Sequence, residues 1–402
     1  MTLPPTGGGA TRAAFYEVIP IAYIDFMTNT DSLLNSMRRM DKTSGWKYST
    51  QALEQVILPL VYEIEDELRL GTYQQEAGTS FRLCERGHLR LVKALSPRDM
   101  LIQHTLVEAV LVPALRRYLI HDNGASLKGK GISFTRRRFE EHMHWHYRRY
   151  GTDGYALKID FRKYFDNIDH RVLMQAIADK IPDPRIMSIV KAICEANVVD
   201  VSEDPRTLEE WKDTPYSSLD AKPPGKREKL LHRSLGIGSP FSQIAGIFLP
   251  TRVDTYVKTV RGVHCYDAYM DDRIAIHPSK AFLVDLLGGI AEQAKELGLF
   301  LHPKKTQIIK LSRGIRFLNT RYKLTPTGHI IRGIPRDVVV RERRKLKHLA
   351  ELVQEEKLTR KEFCNQYKGW RGDKTRYDAH GIIAQMDNLY HDLLGGIENG
   401  RE

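Results

Sequence analysis

Tyr266-Asp267-Ala268-Tyr269-Met270-Asp271-Asp272-Arg273-Ile274-Ala275-Ile276 is the stretch on which the reading of this chain turns. Two adjacent carboxylates, Asp271 and Asp272, separate two short apolar runs, Val263 to Tyr266 and Ile274 to Ile276. Aspartate is poor strand material, so the pattern predicts a β-hairpin with Met270 and Asp271 at its turn. Such a tip offers hard oxygen ligands on a rigid support, as a divalent cation requires. Alone, an Asp-Asp pair more often marks an ordinary solvated turn.

A second stretch shifts that balance: Tyr155-Ala156-Leu157-Lys158-Ile159-Asp160-Phe161-Arg162-Lys163-Tyr164-Phe165-Asp166. Tyr155, Leu157 and Ile159 alternate with Ala156, Lys158 and Asp160, the period of a half-buried strand, and Asp160 falls at its end. Asn167 or Asp169 can cap the helix that follows, which presents Leu173, Ile177 and Ile181 on one face. One carboxylate at a strand end and two on a hairpin tip could together hold two divalent ions a few ångströms apart. One ion would activate an attacking hydroxyl and the other would stabilise the leaving oxygen of a phosphoryl transfer.

With these motifs in view, the chain resembles the prokaryotic reverse transcriptases of group II introns, retrons and diversity-generating retroelements. Tyr269-Met270-Asp271-Asp272 resembles their catalytic box, and Asp160 with Phe165 resembles their first metal motif. The resemblance implies an α+β right-hand polymerase fold. Its parts would be an N-terminal helical extension (1–80), fingers (81–150), a palm (151–325) with an inserted loop at about 200–232, and a helical thumb (326–402). It implies two Mg²⁺ ions, with Mn²⁺ as a substitute, on Asp160, the Phe161 backbone, Asp271 and Asp272. Phe165 would be the steric gate against a 2′-hydroxyl. Lys305, in Leu299 to Ile308, would be the catalytic cation at the leaving pyrophosphate, stabilising the charge that develops there.

Further boxes follow the same order. Phe81 to Leu83 and Leu89 to Lys93 alternate like hairpin strands around Gly87-His88. By resemblance Arg90 and Lys93, with Arg98 third, would grip the incoming triphosphate. Salt bridging accounts equally well for any one of them. Lys128-Gly129-Lys130-Gly131 resembles a box near the template, where glycine admits backbone close to phosphate and lysine supplies charge. Leu235-Gly236-Ile237-Gly238-Ser239-Pro240-Phe241-Ser242-Gln243 stands where most of the family has Gln-Gly-x-x-x-Ser-Pro. Ile237, Gly238 and Gln243, at the dNTP site, resemble the diversity-generating branch. Loss of the amide at Ile237 weakens hydrogen-bonded checking of the base pair and implies low fidelity. Gly314 to Tyr322 resembles the primer-grip hairpin, with Asn319 where the family usually has Gly; Asn tolerates the left-handed backbone.

Net charge is +12 and the sequence pI about 9.4, a surplus that favours a polyanion partner. Basic and aromatic residues interleave over 134–150, including Arg136, Arg137 and Arg138, as on a nucleic-acid face. His142 and His146, four apart, are a weaker candidate metal pair. Helical periodicity over 51–70 (Leu53, Val56, Ile57, Leu60, Ile64, Leu68) predicts a packed stripe, closed by Gly71. The same reading predicts helices over 244–257 and 282–297, and a helical region over 336–396 with Arg344, Lys347 and Trp370 toward nucleic acid. Residues 200–232 read as a polar loop in which Lys222, Lys226, Arg227 and Lys229 are RNA candidates.

Cys84, Cys194, Cys265 and Cys364 stand far apart, which predicts reduced thiols and a cytoplasmic protein. No run spans a bilayer, and the first ten residues lack a signal peptide's apolar core. The partners implied are template RNA, cDNA product, dNTPs and, for the diversity-generating role, a basic accessory protein, with no membrane. Two other readings stand beside this one: an antiphage defence reverse transcriptase able to work without a template, and a non-catalytic RNA-binding scaffold. The intact acidic residues disfavour the scaffold.

Overall fold

The computed structural model of this chain describes residues 23–85, 88–200, 219–221 and 229–399. Helices and sheet are mixed, in the α+β class. Helices α1 (Tyr23–Met27), α2 (Thr30–Ser44), α3 (Tyr48–Gln55) and α4 (Ile57–Leu70) come first. The stripe expected over 51–70 breaks at Val56, whose backbone leaves the helical region at φ −114° and ψ 17°. Val56 is therefore exposed, and Val61, Ile64 and Leu68 form the buried face. Gly71 ends α4 at φ 68°, a left-handed conformation that glycine adopts without strain.

The expected hairpin is β1 (Thr79–Glu85) paired with β2 (His88–Ala94). Ser96 caps α5 (Pro97–Thr105) by accepting from the Asp99 amide, and the helical path continues into α6 (Val112–Leu115). Helix α7 (Ile132–Tyr150) is followed by β3 (Tyr155–Ile159), α8 (His170–Ala178) and α9 (Pro184–Glu195). Asp169 is the α8 cap, accepting from the amides of Arg171 and Val172.

The region expected as a loop over 200–232 is not all loop. Its described parts, β4 (Val199–Asp200), β5 (Leu219–Ala221) and β6 (Lys229–Leu231), pair in the order β4-β6-β5. Lys222, Lys226 and Arg227 lie outside the described residues. The helix expected over 244–257 is divided at Leu249-Pro250 into α10 (Pro240–Phe248) and α11 (Thr251–Thr255), since proline brings no amide to the helical ladder.

Strands β7 (Tyr266–Tyr269) and β8 (Asp272–His277), helix α12 (Lys280–Glu296) and strand β9 (Gln307–Lys310) complete the central unit. The sheet order is β7-β8-β3-β9, antiparallel throughout. Both faces of this sheet are covered. Leu157 and Ile159 enter the large core with Leu173, Ile177 and Leu286, while Ala156, Ile274 and Ile276 join a second core with Phe139 and Met143 of α7. That second core continues into a smaller sheet of β10 (Ile315–Phe317), β11 (Thr320–Leu324) and β12 (Ile330–Gly333). Leu318 and Asn319 turn its first hairpin with φ of 46° and 59°, so Asn319 does take the left-handed backbone.

Helices α13 (Arg336–Gln354), α14 (Arg360–Lys374) and α15 (His380–Asn399) pack around their own core of Leu346, Val353, Phe363, Tyr367 and Met386. Among the described residues no helix is long and apolar enough to cross a membrane. The four cysteines are free.

Phe139 joins α7 to the smaller sheet. It is fully buried, with its ring centroid 5.1 Å from that of Phe317 and 5.0 Å from that of Tyr322. Phe139→Ala is expected to cost about 3–5 kcal/mol and Phe139→Leu distinctly less, measured by urea unfolding.

Candidate active site

The two quoted stretches meet on adjacent strands. Tyr269 pairs with Asp272 across the β7–β8 hairpin, which leaves Met270 and Asp271 at the turn. Met270 has φ 52°, a conformation a side-chain-bearing residue adopts only under constraint. On the other edge of β8, Ile159 of β3 pairs with Arg273. Asp160, the next residue, therefore leaves the sheet beside Asp272. Strand alternation puts Asp160 and Asp272 on one face and Arg273 on the other.

The site is acidic and crowded. Asp160 is buried, with Asp271 and Asp272 half-buried. Burial holds the Asp271 carboxyl above the usual carboxylate range, and the neighbouring charges of Asp272 and Asp160 push it the same way. Two lysines offset this: Lys158 Nζ lies 3.5 Å from Asp272 Oδ1, and Lys305 Nζ 3.4 Å from Asp160 Oδ1. The Lys305 loop is tied to the strand end. His302 donates its amide to the Asp160 carbonyl at 2.8 Å, and the Thr306 hydroxyl donates to the same oxygen at 3.2 Å. The group of ligand atoms that lies within 4.8 Å is a different, buried cluster, described below, and not these three acids. Their donor set is all hard oxygen, which fits Mg²⁺.

Phe165 lies beside this edge on a single 3₁₀ turn, and Gly246 of α10 lets its ring approach. A Cβ at Gly246 would stand 3.0 Å from Phe165 Cε1. Tyr164 donates its hydroxyl to the Gly246 carbonyl and fixes the same contact. Phe161 is buried, stacked on Tyr164 with centroids 5.5 Å apart. Ile237 is half-buried and Gly238, at φ 100°, exposed in the turn before α10; Gln243 projects to solvent from the first turn of that helix.

Several cations expected to face ligands hold the protein itself. Lys93 Nζ donates to the Ala196 carbonyl after α9, and burial lowers its pKa. Arg90 lies on β2, its side chain outside the described residues. Arg98 pairs with Glu67 at 2.5 Å. Lys130 Nζ donates to the carbonyls of His121 and Asn123 at 2.7 and 2.8 Å. Arg136 donates to the Leu318 carbonyl at 2.7 Å, and Arg138 to Asp122 at 2.8 Å. Arg137 is solvent-facing beside Glu141, 3.8 Å away. Lys128, Arg344 and Lys347 are exposed, and Trp370 is half-buried against Tyr367.

The sequence reading missed two buried charge clusters flanking the hairpin. In front, Asp122, His142 and Asp267 bring ligand atoms within 4.8 Å of one another, a grouping that could hold a metal ion. His142 Nδ1 is 2.8 Å from Asp267 Oδ2 and its Nε2 is 3.7 Å from Asp122 Oδ2. Lys258 at 2.7 Å and Arg138 already pair with Asp122, so two cations balance the two carboxylates without an ion. The weaker candidate pair, His142 and His146, is engaged separately: His142 faces Asp267, and His146 Nε2 contacts the Asp153 carbonyl at 2.7 Å. Behind the hairpin, Arg273 pairs with Asp254. Its sequence signal was a charge placed between Asp272 and the apolar run Ile274 to Ile276.

No family model matches the chain, and no curated protein matches its sequence. Among solved structures, the telomerase of Candida albicans in complex with a fragment of telomeric RNA is similar to this chain at TM-score 0.44 and 13% identity. The match covers 72% of this chain and 52% of that one. The chain thus spans about half the length of that telomerase chain.

A carboxyl whose folded pKa is raised is most favourable to stability when protonated, and that benefit is lost as pH rises through the folded pKa. Ionised Asp271 therefore burdens the fold near neutrality. Asp271→Asn is expected to stabilise the metal-free protein at pH 7.5. The gain should fade as pH falls through the raised pKa toward about 4, the ordinary carboxylate value, as read from thermal melts across pH.

Proposed function

We propose that this chain is an RNA-directed DNA polymerase, a reverse transcriptase that extends a primer by two-metal nucleotidyl transfer. The observation that carries the reading is the β3–β8 register, with Ile159 opposite Arg273, which brings Asp160 beside the Asp271-Asp272 tip. A solvated turn has no need of a third carboxylate on a neighbouring strand. In this reading residues 81–150 act as fingers, 151–325 as palm and 326–402 as thumb.

Asp160, Asp271 and Asp272, with the Phe161 carbonyl, would hold the Mg²⁺ ions, which when bound supply Lewis-acid activation of the attacking hydroxyl and neutralise the leaving oxygen. The chain's own groups do the rest. The Lys305 ammonium, held beside Asp160, meets the charge that builds on pyrophosphate and can deliver a proton to it. The Phe165 ring, braced on α10, obstructs a 2′-hydroxyl. Template RNA and its cDNA product lie along the cationic outer faces of α7 and α13, recognised through their phosphates.

Ile237, in place of an amide-bearing residue, and Gln243 support a low-fidelity polymerase of the diversity-generating kind, served by its own RNA and a basic accessory protein. Sequencing of the cDNA checks this: clustered substitutions support it and faithful copies remove it.

The full chain is expected to extend a primer annealed to RNA in the presence of Mg²⁺ and dNTPs. Asp160→Ala and Asp271→Ala should each lower the rate by about a hundredfold or more. Phe165→Ala should admit ribonucleotides, and Gly246→Ala, which crowds the same ring, should raise the KM for dNTPs. No extension by the native chain, or equal extension by Asp271→Ala, would refute the reading.

A further inference from the structure

Arg273 follows the acidic pair directly, yet its side chain is only 1% exposed, and that of its partner Asp254 only 3%. Its Nε donates to Asp254 Oδ1 at 3.0 Å, and a terminal nitrogen donates to the Met270 carbonyl at 2.8 Å. Tyr266 donates its hydroxyl to the same Asp254 oxygen at 2.7 Å. The guanidinium carbon lies 5.0 Å from the centre of the Phe161 ring. One planar group thus touches a helix (α11), the strained turn that carries Asp271, and the residue after Asp160. It does so from the sheet face opposite the Asp160 and Asp272 carboxylates.

A buried ion pair is a poor device for stability alone, because desolvating a guanidinium costs several kcal/mol that an apolar pair of similar volume avoids. What the pair supplies is direction. Guanidinium nitrogens diverge at fixed angles, so anchoring one on α11 determines where another can hold the Met270 carbonyl. Met270 sits at φ 52°, and its carbonyl begins the peptide into Asp271.

We infer that Arg273, locked by Asp254, is a positioning residue that sets the Asp271 carboxylate relative to Asp160 through the Met270 peptide and the Phe161 ring. The inference rests on the polymerase reading for its catalytic consequence but not for its structural one. Lysine at this position keeps the charge but, lacking the fork, cannot reach Asp254 and Met270 together.

Two measurements separate these layers. Mn²⁺ binding to the full chain, followed by electron paramagnetic resonance, is expected to weaken about tenfold in Arg273→Lys. Primer extension should show kcat reduced about a hundredfold with the dNTP KM within about twofold of native, the mark of misplacement rather than lost binding. Native-like Mn²⁺ affinity and kcat in a folded Arg273→Lys, or a kcat loss matching only the unfolded fraction in a melt, overturns the inference while the polymerase reading survives. A native chain that makes no DNA, together with weakened Mn²⁺ binding in Arg273→Lys, sinks the polymerase reading and keeps the strut. If Arg273→Lys does not fold, Tyr266→Phe, which removes one support of Asp254 at nearly constant volume, replaces it. A several-fold loss of Mn²⁺ affinity then supports the inference, and native affinity overturns it.

Discussion

The pairing of β3 with β8 is the constraint from which the rest of this structure follows. Antiparallel strands admit only registers that keep each face apolar, and a slip of one residue exchanges the faces entirely. Here Ala156, Ile274 and Ile276 fill one core while Leu157, Ile159 and Ala275 fill the other, so both faces oppose slippage. With the register fixed by packing, the position of Asp160 against Asp272 is fixed as well. The site costs the sheet nothing in specification, because the acids begin where the paired apolar residues end.

What the site does cost is electrostatic, and the molecule offsets it from both sides of the sheet. Asp267 faces His142 of α7 on one side, and Arg273 faces Asp254 of α11 on the other. These are buried contacts made by residues of the hairpin itself, one in each strand. They tie β7 to α7 and β8 to α11. Main-chain bonds add to the grip on the outer edge: the Ala268 amide donates to the Asp122 carbonyl, and its carbonyl accepts from Gly124. A hairpin tip normally belongs to the mobile end of a structure. This one is held by charge pairs too well buried for salt to screen effectively.

How much of this was legible follows from range. Local patterns read correctly: the hairpin and its turn at Met270-Asp271, the strand ending at Asp160, the Asp169 cap, the left-handed Asn319 and the closing glycine at 71. Each depends on a few neighbouring residues. Misreadings arose where distant packing decided. Val56 has a helical spacing, yet a kink turned it outward, and Val61 replaced it. The segment around 200–232 looked polar enough for loop, but Leu230 and Leu231 found strand partners. The charge clusters were invisible for the same reason, since nothing local joins His142 to Asp267 or Arg273 to Asp254.

The basic surplus needs the same treatment. Read as composition, +12 suggests a surface painted with cations. In the fold, Lys93, Lys130, Arg136 and Arg138 spend their donors on internal carbonyls and carboxylates, and Lys158 and Lys305 on the acidic centre. These cations act first as fasteners of loops that lack a ladder of their own. The cations left facing solvent include Lys128 near the start of α7, Arg137 on it, and Arg344 and Lys347 on α13. Arg148 and Arg149 at the end of α7 and Lys345 on α13 are exposed as well. Net charge therefore combines cations that fasten the fold with cations that face solvent. The placement of the α7 cations relative to the smaller sheet depends on the packing at Phe139 that joins the two.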